Sequence, residues 1–156
     1  MSRWIILLAV AIIGGVASNR QMTEPLPTSF EAQCKATDGD SLNCGGLQIR
    51  LLGVDAAELP GHCRAGRDCA AGNPYIQKKA LAQFVRQPVR ISPIKKDHYN
   101  RTVASVTDKN GKNASCAAIL AGSKYMPDWD HRLLIARTCV ADFKILDNIR
   151  MTRKEE

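Results

Sequence analysis

Aromatic residues are scarce in this chain: phenylalanine, tryptophan and tyrosine make up 5% of its 156 residues. A broad platform for stacking unpaired bases needs several exposed rings, so the composition argues against that mode of binding. No Cys-x-x-Cys pair occurs, which leaves a structural zinc site with little support. No apolar run is long enough to cross a bilayer comfortably: the one at the N-terminus ends by Val16, short of the roughly 20 residues that a span requires. There is neither an internal repeat nor a low-complexity tract.

That N-terminal run reads instead as a secretory signal. Arg3 supplies the positive start, Trp4 to Ile13 the apolar stretch, and Gly15-Val16-Ala17-Ser18 the small residues for cleavage. Residues 1–18 are thus expected to be a signal peptide or, if uncleaved, an N-terminal anchor, the only route by which a membrane would become a partner. Residues 19–29, with Pro25 and Pro27, read as a linker. Residues 30–150 suffice for one small domain, and 151–156 form a charged tail. A secreted or periplasmic location turns the six cysteines from candidate metal ligands into candidate disulfides. Fifteen pairings are open to six cysteines. The expected ones are Cys34–Cys44 across a hairpin, Cys63–Cys69 closing a short loop, and Cys116–Cys139 tying a late helix to the one before it. The formal net charge of +7 suits nucleic acid, acidic polysaccharide or an anionic membrane surface, and does not choose among them.

Periodicity predicts a β-rich first half. Phe30 to Thr37 and Ser41 to Cys44 flank an Asp-Gly turn, a hairpin signal. After Gly45-Gly46 the segment Leu47 to Leu52 continues as a strand, with Leu47, Ile49 and Leu51 on one face and Gln48 and Arg50 on the other. Leu59 to Asn73 is expected to be irregular. Pro74 suits the first turn of a helix whose apolar face is Ile76, Ala80, Leu81, Phe84 and Val85, with Gln77, Lys78, Lys79 and Gln83 outward. Val89 to Ser92 begins a strand and Thr102 to Val106 alternates again. Asp108 to Gly111 is a turn, and Ala114 to Leu120 a short helix ended by Gly122. A last amphipathic helix is expected over His131 to Arg150, with Leu133, Ala136, Val140, Phe143 and Leu146 as its stripe. The sum is an α+β chain, a five-stranded OB-fold β-barrel with about three helices.

Three short segments carry the chemistry: Asp38-Gly39-Asp40-Ser41, then Ile49-Arg50 through Asp55-Ala56-Ala57-Glu58, then Asp97-His98-Tyr99-Asn100-Arg101. Singly each has a plain explanation: a hairpin turn, a solvated arginine, a turn cap, a surface ion pair. Jointly they set acid at one strand start, arginine and two acids around another strand's end, and arginine opening a third. Converging carboxylates hold a hard divalent cation, and guanidinium groups clamp phosphate. Phosphodiester hydrolysis needs both, because negative charge builds on the phosphoryl oxygens as water attacks.

The three segments resemble, in order and nearly in spacing, those of the staphylococcal nuclease (thermonuclease) family, whose motifs run approximately D-G-D-S/T, I-R-L-x-G-I/V-D-A/T-P-E and D-x-Y-G-R. The likeness spans about Phe30 to Tyr125. It implies an exported nuclease that uses Ca²⁺ to cleave DNA and RNA with little sequence preference. Asp40 and Asp55 would bind Ca²⁺ with the backbone carbonyl of Ala56. Glu58 would activate or orient the attacking water, and Arg50 and Arg101 would bind the phosphate and stabilise its transition state. Tyr99 would lie near the nucleotide phosphate, with His98 beside it at a position where lysine is usual, a change expected to weaken phosphate attraction near neutral pH. Two further departures are Ala57 for the usual proline, expected to loosen the Glu58 loop, and Asn100 for the usual glycine, which tolerates positive φ better than most residues. A monomer with no stable protein partner is expected. The alternative is the same barrel as a catalytically weak module that binds nucleic acid or another polyanion. A third reading, a disulfide-stapled envelope protein with purely structural charges, requires the three motifs to be coincidence.

Overall fold

The computed structural model describes residues 27–140. The expected signal, most of the linker, the end of the last helix and the charged tail lie outside the described residues.

Two hairpins begin the sheet. Strand β2 (Lys35–Ala36) turns through Asp38-Gly39-Asp40 into β3 (Ser41–Cys44), and β3 turns at Gly45-Gly46 into β4 (Leu47–Leu51). The expected strand from Phe30 is broken in two: β1 covers Phe30–Ala32, and Gln33-Cys34 separates it from β2. β1 pairs with β6 (Val89–Lys96), β6 with β7 (Thr102–Thr107), and β7 runs parallel to β4. The sheet therefore has the order β1-β6-β7-β4-β3-β2. Its two edge strands are neighbours in the chain with only two residues between them, and such edges cannot lie far apart, so the sheet must curl. The described residues are α+β, a curled six-stranded sheet with three α-helices.

Strand alternation turns Ile49 and Leu51 inward with Leu42, Leu52, Ile91 and Val106, all fully or nearly fully buried. Arg50 faces the other way. β7 departs from the expected alternation, being buried from Thr102 to Val106; it is an inner strand of the curled sheet, and helix α2 (Ala114–Leu120) packs against it. Asn113 caps α2 by accepting from the Ser115 amide, and Gly122 ends it at φ 96°. A short ribbon that periodicity did not reveal pairs β5 (Val54–Asp55) with β8 (Lys124–Tyr125). The three expected disulfides, Cys34–Cys44, Cys63–Cys69 and Cys116–Cys139, are all present, with no free cysteine among the described residues. Disulfides at this density are those of an oxidising compartment.

Two helix expectations need correction. Helix α1 (Pro74–Phe84) starts where Pro74 and the Asn73 cap place it, but Gln77 is fully buried while Ile76 is 57% exposed. The helix packs toward the Asp55 to Glu58 segment as well as the core, and that side needs a hydrogen-bonding group. The last helix does not begin at His131. Two 3₁₀ turns, Pro127–Trp129 and His131–Leu133, come first, and Arg132 and Leu133 in the second sit at φ 53° and 56°, so α3 (Leu134–Thr138) starts only after them. Its inward residues are Ile135 and Cys139, whereas Leu133 and Val140 are exposed. The Cys116–Cys139 bridge fixes that rotation. Phe143 and Leu146 lie outside the described residues.

The Asp130 carboxylate holds the start of α3, accepting from the Ile135 amide at 2.9 Å, the Ala136 amide at 3.0 Å and the Tyr125 hydroxyl at 2.9 Å. Burial first, then the Asp130 carboxylate, pushes the Tyr125 phenol up to about 12. Folding thus favours the neutral phenol. That contribution is whole below the unfolded value of about 10 and is lost as pH rises through the folded value. Urea unfolding of the wild type is expected to show a stability loss across that alkaline window, and Tyr125→Phe to reduce it. Equal slopes for the two proteins would contradict the assignment.

Candidate active site

Each charged motif residue comes from the end of a strand or from a turn beside it. The β2–β3 turn presents Asp40, β4 presents Arg50, β5 and the chain after it present Asp55, Ala56 and Glu58, and the β6–β7 turn presents Asp97 to Arg101. Asp40, Arg50, Glu58, His98, Tyr99 and Arg101 line a single cleft of about 780 Å³. Asp55 lines an adjoining hollow that shares Arg67 and Trp129 with the cleft. The residues singled out by sequence are therefore brought together, and cations outnumber anions along the lining.

Arg50 joins the two buried aspartates. Its Nη1 lies 3.1 Å from Asp40 Oδ2, and its Nη2 lies 3.0 Å from Asp55 Oδ1 and 3.3 Å from the Val54 carbonyl. Asp40 also accepts from the Ser41 hydroxyl at 2.7 Å and from the Ala56 amide at 3.1 Å. The serine after the acidic turn thus orients the carboxylate it follows. Ala56 contributes its N–H to Asp40 and is itself buried. Buried carboxylates require such pairing, because desolvating an unpaired charge is costly.

Asp97 organises the β6–β7 turn. Its Oδ1 accepts from the Tyr99 and Arg101 amides, each at 2.9 Å, and its Oδ2 accepts from Arg101 Nε at 2.7 Å. Partial burial works to raise the Asp97 carboxyl. The hydrogen bond and charge of Arg101, with the two amides, outweigh it and hold the carboxyl below its ordinary range. Asp97 is therefore ionised at neutral pH and anchors Arg101 through Nε alone. The terminal nitrogens of Arg101 keep no partner among the described residues, and its guanidinium lies 5.3 Å from the centre of the Tyr99 ring. Asn100 takes φ 62°, as expected for a residue replacing glycine. His98 is exposed and packs against Tyr99 with ring centres 3.8 Å apart and ring planes tilted by 44°.

Four contributors escaped the sequence. Arg64 donates to the Tyr99 hydroxyl at 3.1 Å, and Arg67 pairs with Glu58 at 2.7 Å and with Asp55 at 3.3 Å. Both sit in the loop closed by Cys63–Cys69, where charged residues without periodicity give no signal. Trp129 lies 5.0 Å from the Arg50 guanidinium. Its 3₁₀ turn was not foreseen. The fourth is Gln77, whose Oε1 accepts from the Ala57 amide at 2.8 Å. A proline at 57 would have no N–H to satisfy, so Gln77 answers the loosening expected from Ala57. Gly39 makes this approach feasible, since a Cβ there would stand 2.7 Å from the Ala56 Cβ and 2.8 Å from the Gln77 Cβ. Gln77→Leu strands the Ala57 amide and is expected to cost about 1–3 kcal/mol in urea unfolding, with lost exchange protection at that amide. Unchanged stability and protection would show that Gln77 does not hold the loop.

No protein-family model matches the chain, and no curated protein matches it in sequence. The geometry therefore carries the functional reading. Among the described residues, no group of three or more histidine, cysteine, aspartate or glutamate side chains could hold a metal ion. The protein can offer two converging carboxylates, Asp40 and Asp55, with the Ala56 carbonyl close by in the chain. Water would have to complete the shell. An oxygen-only donor set is of the kind hard cations take and lacks the nitrogen and sulfur ligands usual for zinc, and both carboxylates are paired here with Arg50.

Proposed function

We propose that the protein is an exported Ca²⁺-dependent nuclease that hydrolyses phosphodiester bonds of DNA and RNA with little sequence preference. The observation carrying this reading is the convergence of Asp40, Arg50, Glu58 and Arg101 on one cleft, with Asp55 bound to the same Arg50. The fold is proposed to be a five-stranded OB barrel. If β1 and β2 are two halves of one bent strand, the strand order closes on itself around five strands.

Asp40, Asp55 and the Ala56 carbonyl are the proposed ligands of Ca²⁺, which when bound offsets phosphate charge and helps to position water. Glu58 takes a proton from the attacking water as the new P–O bond forms. Arg101, anchored by Asp97, donates from its terminal N–H groups to a phosphoryl oxygen, where charge grows as the leaving P–O bond breaks and the departing oxygen takes a proton from solvent. Arg50, on the strand paired with the one that follows Arg101, would be the second arginine to bind the phosphate. Tyr99 and His98 lie along the phosphate path. A cleft of this kind reads backbone more than base edges, hence little sequence preference.

The second reading, a polyanion-binding module with weak catalysis, is favoured by one contact: Arg67 occupies Glu58 at 2.7 Å. Incubating the oxidised protein with DNA and RNA in calcium separates the two. The nuclease reading expects cleavage that a chelator abolishes. Affinity without turnover, unchanged in Glu58→Gln, favours the module, and absence of both defeats the two readings together.

A further inference from the structure

Arg67 is the cleft's least expected cation. Its Nη1 meets Glu58 Oε1 at 2.7 Å and its Nη2 meets Asp55 Oδ1 at 3.3 Å, the oxygen that Arg50 also approaches at 3.0 Å. One carboxylate oxygen of Asp55 thus serves two guanidinium groups, and its side chain is only 8% exposed. The Arg67 side chain is 40% exposed and has room to leave. The Cys63–Cys69 bridge spans six residues of sequence, so Arg67 cannot go far.

We propose that Arg67 is a tethered counter-ion that competes with the divalent cation for the carboxylates of this cleft. The inference rests on the cation reading of Asp40 and Asp55 given above. A dication at Asp55 and a guanidinium on the same carboxylate repel one another at short range. Binding of one therefore weakens binding of the other, a coupling that is reciprocal. The disulfide keeps the guanidinium at high local concentration and strengthens its competition. An Arg67 displaced by the cation frees Glu58 and remains inside the cleft, where a phosphate would be its next partner. Cation entry would in this way release the proposed base.

Calcium titration by calorimetry on the oxidised full chain, without nucleic acid, tests this. Relative to wild type, Arg67→Gln is expected to bind calcium roughly threefold to tenfold more tightly, the range of one or two partly exposed ion pairs. Arg67→Lys keeps the charge and is expected to stay within about twofold of wild type. Arg64→Gln removes the same charge from a residue that touches Tyr99 and no carboxylate, and is also expected to stay within about twofold. Circular dichroism checks that each variant folds. An Arg67→Gln protein that binds no more tightly than wild type overturns the inference alone, as does equal tightening by Arg64→Gln, which would mark a bulk charge effect. Absence of calcium binding in both wild type and Arg67→Gln at millimolar calcium removes the cation reading of the cleft, and this inference with it.

Discussion

Glu58→Gln is expected to lower turnover of nucleic acid roughly 10²- to 10⁴-fold, the range for losing a positioned general base. Substrate affinity should hardly change, and neither should the unfolding midpoint. The side chain is partly exposed, with 22% of its surface accessible, and its partner is Arg67. Glutamine keeps an oxygen for that arginine and keeps the loop geometry. Glutamine cannot take a proton from water, and it also turns the ion pair with Arg67 into a neutral hydrogen bond, a loss worth about 1 kcal/mol or less at this exposure. Single-turnover measurements with calcium saturating isolate that step from binding. A variant that cleaves within a few-fold of wild type would show that Glu58 is not the base. A variant that unfolds early would show that its role is structural.

The second large effect belongs to Arg101. Replacing it with glutamine is expected to reduce kcat about 10²- to 10³-fold, equivalent to about 2.7–4 kcal/mol of transition-state stabilisation. Asp97 holds Nε and leaves the two terminal nitrogens free, an arrangement that presents a preorganised donor pair to developing charge. Arg101→Lys should rescue little, because a point charge lacks the planar fork. Asp97→Asn should act in the same direction and more weakly. It keeps an acceptor for the Tyr99 and Arg101 amides while surrendering the charge that aims the guanidinium. Equal kcat for Arg101→Gln and wild type, with only KM raised, would assign Arg101 to ground-state binding instead.

Much of this site was legible because its residues sit where local rules are strong. The Asp-Gly and Gly-Gly turns, the alternation around Arg50, the Gly122 end of α2 and the short-range pairs Cys34–Cys44 and Cys63–Cys69 followed from local patterns, and Cys116–Cys139 from setting the last helix beside the one before it. Arg50 faces away from the core because it alternates with Ile49 and Leu51, and that one fact delivers it to the acids. What failed depended on tertiary context. Gln77 was placed outward by helical periodicity, which weighs only polarity; the unpaired Ala57 amide that draws it inward belongs to another element. Arg64 and Arg67 lie in a loop whose path a disulfide sets, so no period marks them. The β5–β8 ribbon has two residues per strand, too few for alternation to register. The left-handed pair Arg132 and Leu133 ended the expected helix register, and neither residue type announces positive φ.

The cleavage rate of a short single-stranded DNA as a function of free calcium, with a chelator control, bears most directly on the central claim, namely that Asp40 and Asp55 hold a cation beside a phosphate gripped by arginine. The account predicts a saturable rise, return to baseline on chelation, and a curve shifted to higher calcium in Asp40→Asn. A rate indifferent to calcium and to the chelator, or an Asp40→Asn curve that overlays the wild type, would contradict it.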